Sequence, residues 1–116
     1  MLSKEKISEI LKLLKKRNID GFELIVTITQ DYKNNEILMT AFSNEEAIIK
    51  SLETGKVHYF STSRKKLWLK GETSGNFQLI KEFYIDCDGD AILYKVEQIG
   101  NACHTGNRTC FFRRFI

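Results

Sequence analysis

Two short segments of this chain concentrate residues that could do chemistry. Asp86-Cys87-Asp88-Gly89-Asp90 carries carboxylates at i, i+2 and i+4, and the stretch Ala102–Cys110 carries Cys103, His104 and Cys110. In extended backbone successive side chains alternate faces, so Asp86, Asp88 and Asp90 would share one side and Cys87 would face the other. Carboxylates crowded in that way repel one another unless a hard cation neutralises them. Mg²⁺ suits oxygen donors, keeps several waters and can meet a substrate phosphate. A solvated hairpin turn explains the same run, since Asp-Gly is a strong turn signal. A Ca²⁺ loop does not, because its sixth position is Ala91 where glycine is needed and the flanks read as strands.

The three cysteines are spaced C-x15-C-x6-C. Cys87, Cys103 and Cys110 plus one water would give tetrahedral zinc an open position, the pattern of a catalytic rather than a structural site. Zinc lowers the pKa of its water, but three thiolates damp that effect, so a nearby base is useful. His104 adjoins Cys103 and is placed to move a proton without ligating the same ion. Three buried free cysteines are the plainer explanation, although their neighbours here are polar or charged. His58, in Val57-His58-Tyr59-Phe60, reads as a packed strand histidine.

Ser61-Thr62-Ser63-Arg64 and Lys70-Gly71-Glu72-Thr73-Ser74-Gly75 supply hydroxyls, cations and flexible backbone, which a phosphate-binding loop needs. Neither follows the Walker or Rossmann glycine pattern. Trp68 could stack on a base or pack into a sheet face.

Positioning these segments falls to a predicted α+β fold, one domain over residues 1–116 with two helices and a mainly antiparallel sheet. Ile7, Ile10, Leu11 and Leu14 form one apolar stripe, predicting a helix from Ser3 to Arg17 within an N-terminal segment 1–20. Phe22–Thr29 and Glu36–Phe42 read as a hairpin around the turn 31–35. Ser43 and Glu46 have capping-box spacing for a second helix that ends at Gly55. Short strands follow at Val57–Phe60 and Leu67–Leu69, and longer ones at Phe77–Ile85 and Ala91–Gln98. The order αββα and then strands shows no repeat or low-complexity stretch.

Composition excludes several classes of function. Apolar residues make up 42% and charged residues 28%, as in ordinary globular domains. A formal charge of +3 is too mild to mark a nucleic-acid binder, although Arg64-Lys65-Lys66 with Lys70, and Arg108 with Arg113 and Arg114, form two basic clusters. No stretch nears the ~20 apolar residues that span a bilayer, and the N-terminus lacks the apolar core of a secretory signal. A cytoplasmic protein without leader or membrane contact is expected, and an odd number of cysteines there forms no closed disulfide framework.

Taken together, Glu36–Phe42, Thr54–Arg64, Leu67–Gly75, Asp86–Asp90 and Ala102–Phe111 resemble the phosphoribosyl-AMP cyclohydrolases of histidine biosynthesis. The resemblance covers residues 22–114, nearly everything after the first helix. It implies hydrolysis of the N1–C6 bond of the purine in N1-phosphoribosyl-AMP by a zinc-activated water. The family's zinc thiolates map onto Cys87, Cys103 and Cys110, and its Mg²⁺ carboxylates onto Asp86, Asp88 and Asp90. It further implies an intertwined homodimer whose zinc site draws ligands from both chains. On this reading His104 shuttles the proton. Ser61, Ser63, Arg64, Lys70, Thr73, Ser74 and Arg108 are candidates to hold the substrate's two phosphates. One departure is Asn101, where the family pattern has proline; no ligand is lost by it. The chain ends at Ile116, so a fused pyrophosphohydrolase domain is not expected.

Two rivals remain. A non-enzymatic zinc module contacting RNA would need a fourth protein ligand, and none stands out. A zinc nucleobase deaminase would carry H-x-E and P-C-x-x-C signatures, and neither occurs in the sequence.

Overall fold

The computed structural model describes residues 1–116. Helix α1 spans Lys4–Lys12, and the Ser3 hydroxyl caps it by accepting from the Lys6 amide at 3.2 Å. It ends five residues before the expected Arg17. Lys12 and Lys16 would repel at i, i+4 in a longer helix, and the chain is drawn instead into strand β1 (Arg17–Ile19). β1 turns back through Asp20 (φ 54°) and Gly21 (φ 88°) into strand β2 (Phe22–Asp31). Both turn residues are left-handed, as a two-residue hairpin of this hand requires, and Asp-Gly is a pair that tolerates it.

Strand β3 (Ile37–Ser43) returns antiparallel to β2. Helix α2 (Glu45–Thr54) follows, capped by Asn44, whose Oδ1 accepts from the Ala47 amide at 2.9 Å. The expected cap, Ser43, is buried in β3 with its hydroxyl 2.7 Å from that of Thr27. One more residue of strand pairing thus moves the cap along by one. Gly55 ends α2 at φ 79°, as expected.

Strands β4 (His58–Ser61), β5 (Lys66–Leu69), β6 (Gln78–Ile85) and β7 (Ala91–Gln98) complete a sheet ordered β5-β4-β3-β2-β7-β6. Every pairing is antiparallel except that of β2 with β7, which is parallel from Val26–Ala91 to Asp31–Val96. The mainly antiparallel expectation holds with that exception. The β6–β7 hairpin docks as a unit on the free edge of β2, and the alternation within each strand does not encode which edge it meets.

Alternate residues of β2 and β7 face the helices. Ile25, Ile92, Tyr94 and Val96 join Ile7, Ile48 and Leu52 in the main core. Burying each large side chain contributes about 1.5–3 kcal/mol before entropy is counted. Beside them lies a buried polar group, in which the Tyr59 hydroxyl donates to Gln78 Oε1 and Gln78 Nε2 donates to Gln98 Oε1 at 2.9 Å. No helix is long and apolar enough to cross a membrane.

Candidate active site

The acidic run forms the β6–β7 turn. The three aspartates therefore do not sit on one extended strand; the turn itself gathers them, with ligand oxygens within 4.8 Å of one another. The Asp86 carboxylate accepts from the amides of Asp90 (3.1 Å) and Ala91 (3.2 Å). Gly89, at φ 78°, lets the turn close against the segment after α1. A Cβ there would lie 2.3 Å from the Leu13 carbonyl oxygen, and the Lys15 amide donates to the Gly89 carbonyl at 2.7 Å. Arg17, from β1, is ion-paired with Asp90.

The Asp86 and Asp90 carboxyls differ in acidity. Desolvation acts to raise the pKa of Asp86, but the Ala91 amide and its hydrogen bonds with Asp90 and Asp88 hold that pKa below the usual carboxylate range. The same hydrogen bonds, with Asp88 first and Asp86 next, push Asp90 above it. An all-oxygen donor set strained by mutual repulsion fits a hard divalent cation such as Mg²⁺.

The cysteines separate into a pair and a single residue. Cys103 and Cys110 lie in the segment after β7, their thiols near enough to shift one another's acidity. Cys110 is anchored to β3 through its amide, which donates to the Leu38 carbonyl at 2.8 Å. The Thr105 hydroxyl donates to the Cys103 sulfur at 3.0 Å and, as the largest influence, holds that thiol below the ordinary cysteine range. Partial desolvation and the neighbouring Cys103 push Cys110 up. Lys70 lies beside both sulfurs, its ammonium donating to the Ala102 carbonyl; desolvation lowers its pKa while the two thiols act to raise it. Two neighbouring thiols beside a lysine form a soft donor pair that suits zinc but leaves its coordination short.

Cys87 is exposed in the β6–β7 turn, beside Leu13 and Lys15. That turn lies where β7 begins opposite Val26, whereas Cys110 is tied to Leu38, beside the far end of β2. Within one chain the sheet keeps Cys87 apart from the other two cysteines.

A cleft of about 380 Å³ lies beside the thiol pair. Arg64, Lys70, Thr73, Ser74, Cys103 and His104 all line it. Gly71, at φ 90°, shapes its wall, because a Cβ would meet the Asn76 backbone at 2.6 Å. Ser61 and Ser63 stand behind it rather than in it. Their hydroxyls are 3.3 Å apart, and Ser61 Oγ accepts from the Arg64 amide at 3.2 Å, fixing the turn that presents Arg64. Arg108 is placed elsewhere, its Nε donating to Glu36 at 2.7 Å and its Nη2 to Asp31.

Sequence reasoning passed over Glu72, Asn76 and Asn101, which also line the cleft. Their positions within and after the polar loop were the available signal. Trp68 joins them, packed 5.2 Å from the Tyr59 ring with Arg64 and Lys70 at 5.7 and 5.8 Å from its own centroid. It therefore serves both packing and site. His58 is a packed strand histidine, buried, with Nδ1 2.8 Å from the Lys56 carbonyl and a pKa lowered by burial.

The sequence model of the phosphoribosyl-AMP cyclohydrolase family matches residues 39–112. A phosphoribosyl-AMP cyclohydrolase of Sulfurisphaera tokodaii is 53% identical over 114 residues, which cover 98% of this chain and 95% of that protein. One from Archaeoglobus fulgidus is 65% identical over 78% of this chain and 84% of its own length. A histidine biosynthesis bifunctional protein of Thermoanaerobacter pseudethanolicus is 62% identical over 87% of this chain, which spans 47% of that longer protein.

Proposed function

Because the chain belongs to the phosphoribosyl-AMP cyclohydrolase family, we propose that its cleft binds N1-phosphoribosyl-AMP and that its residues promote hydrolysis of the purine N1–C6 bond. The observation that supports this best is the meeting of Arg64, Lys70, Thr73 and Ser74 with Cys103 and His104 around one cleft. Phosphoribosylation at N1 leaves the ring electron-poor and C6 open to water. The oxygen of water becomes the carboxamide oxygen at the former C6, the N1–C6 bond breaks, and a proton is delivered to N1.

Arg64 and the Thr73 and Ser74 hydroxyls bind phosphate, with Ser61 and Ser63 holding the Arg64 turn in place. Lys70 favours the anionic forms of Cys103 and Cys110 and adds charge for a phosphate. His104, exposed at the edge of the cleft, takes the proton from water and passes it toward N1, a role worth about 10²–10⁴-fold in rate. Cys103 and Cys110, with Cys87 of a second copy of the chain, would hold Zn²⁺; it would supply a more acidic water near neutral pH. Asp86, Asp88 and Asp90 would hold Mg²⁺, which adds charge for a substrate phosphate. The separation of Cys87 from the other two thiols across the sheet supports a homodimer with shared zinc. Residues 22–114 form the catalytic core on this reading, and free thiols suit a reducing cytoplasm.

The test is turnover of N1-phosphoribosyl-AMP by purified protein, followed by ultraviolet absorbance with Zn²⁺ and Mg²⁺ present and again after chelation. Metal-dependent ring opening is expected, with His104→Ala slower by the factor given above. A folded, zinc-loaded protein that leaves the substrate unchanged sinks the reading.

A further inference from the structure

The segment carrying Cys103 and Cys110 has no regular secondary structure, so something else must fix the distance between its two sulfurs. Part of the answer is internal, since the Ala102 amide donates to the Arg108 carbonyl at 2.9 Å and the Cys103 amide to the Asn107 carbonyl at 3.1 Å. Both bonds run through residues 107 and 108, so the position of Cys103 depends on where Arg108 is held. Its side chain reaches the β2–β3 turn, where it bridges Glu36 and Asp31. Asp31 is the better anchored of the two. Its side chain is only 8% exposed, and its Oδ1 accepts from the amides of Lys33 (2.8 Å) and Asn34 (3.1 Å), leaving Oδ2 for Arg108. One residue further on, the Thr109 hydroxyl donates to the Ile37 carbonyl at 2.6 Å.

We propose that Asp31, acting through Arg108, is a positioning residue for the metal site, its carboxylate latching the thiol-bearing segment to the β2–β3 turn so that Cys103 and Cys110 stand ready to bind one ion. This rests on the zinc reading given above and extends it to a residue that touches neither metal nor substrate. Asp31→Asn is an apt probe. An amide oxygen can still accept the two turn bonds, whereas its NH₂ group meets the Arg108 guanidinium donor to donor.

The experiment measures Zn²⁺ affinity of metal-stripped full-length protein by competition with a chromogenic chelator, for wild type, Asp31→Asn, Arg108→Gln and the double variant. Each single variant is expected to lose about 10–100-fold, the usual effect of removing a group that orients metal ligands. The double variant should lose no more than the worse single, because the two residues act as one device. Unchanged affinity in folded Asp31→Asn, or additive losses in the double variant, overturns the proposal. If wild type itself binds no Zn²⁺, the metal reading fails, and the latch is then judged on the thiols alone. An arsenical that bridges paired sulfurs should capture wild type tightly and Asp31→Asn about 10-fold less tightly or worse, by analogy with metal; equal capture overturns the latch. Should Asp31→Asn not fold, Arg108→Gln breaks the same latch from its other end, and an affinity equal to wild type overturns the proposal in the same way.

Discussion

The Tyr59 hydroxyl donates to Gln78 Oε1 at 2.6 Å inside the core, joining β4 to β6, whereas the equally buried Tyr94 hydroxyl has no hydrogen-bond partner. The Ser51 hydroxyl faces Tyr94 but is committed to the Ala47 carbonyl and the His58 amide, each at 2.7 Å. Tyr59→Phe should cost about 1–3 kcal/mol, because it strands a buried acceptor on Gln78. Tyr94→Phe should change stability by less than about 0.5 kcal/mol or improve it, since it removes a polar atom that was already unpaired. Urea unfolding midpoints of the two variants decide this, and equal losses would count against it.

Gly89 and Gly106 separate backbone strain from steric contact. Both have positive φ, 78° and 91°, but a Cβ on Gly106 meets nothing within 4 Å while one on Gly89 strikes the Leu13 carbonyl. Gly106→Ala should cost about 1–2 kcal/mol from the left-handed conformation alone. Gly89→Ala should cost more, and hydrogen exchange should rise at the Lys15 amide as its bond to Gly89 is lost. Equal destabilisation of the two variants would remove the steric argument.

Asp31 makes stability depend on acid. Desolvation would raise its carboxyl, but the Lys33 and Asn34 amides and Arg108 outweigh that and hold it below the usual range. A carboxyl depressed on folding contributes stability above its unfolded pKa of about 3.9, and loses it as pH falls through the folded value. The melting-temperature gap between wild type and Asp31→Asn should therefore be widest near neutral pH and narrow below about pH 4. A gap independent of pH would mean that the carboxylate charge is not the source.

Arg64→Ala tests the phosphate side of the cleft. Losing a charge-assisted hydrogen bond worth about 1.5–3 kcal/mol should raise KM by about 10–100-fold. On the proposed reading the turnover number should stay near wild type, because Arg64 would grip a part of the substrate that does not react. A fall in kcat at constant KM would assign Arg64 to the chemistry instead.

Much of this molecule was legible in local patterns. The apolar stripe of α1, the αL stop at Gly55 and the acidic turn all follow from residues close in sequence. What escaped depends on distant partners. Asp20-Gly21 carried a hairpin signal, but the stripe drew the helix on to Arg17, and only pairing with β2 shows where it stops. Ser43 and Asn44 are both good caps, and the Thr27 hydroxyl across the sheet decides between them. Arg108 sits beside a cysteine in a basic cluster, which suggested phosphate; its carboxylate partners lie more than seventy positions earlier. Cys87 reads as equivalent to the other two cysteines, and the sheet places it at the opposite end of β2.

The parallel pairing of β2 with β7 bears on how the chain comes to be folded. It joins Val26 to Ala91, so the sheet is completed only after nearly the whole polypeptide has been synthesised. Contacts of such long range are slow to form, because loop entropy must be overcome first. Until β7 arrives, β2 presents an open strand edge, the kind of template on which incomplete chains aggregate. The acidic turn and the cysteine-bearing segment flank that late strand, so both candidate metal-holding segments take shape at the end of folding, and a nascent chain shorter than about β7 has a helix-covered half-sheet but neither of them.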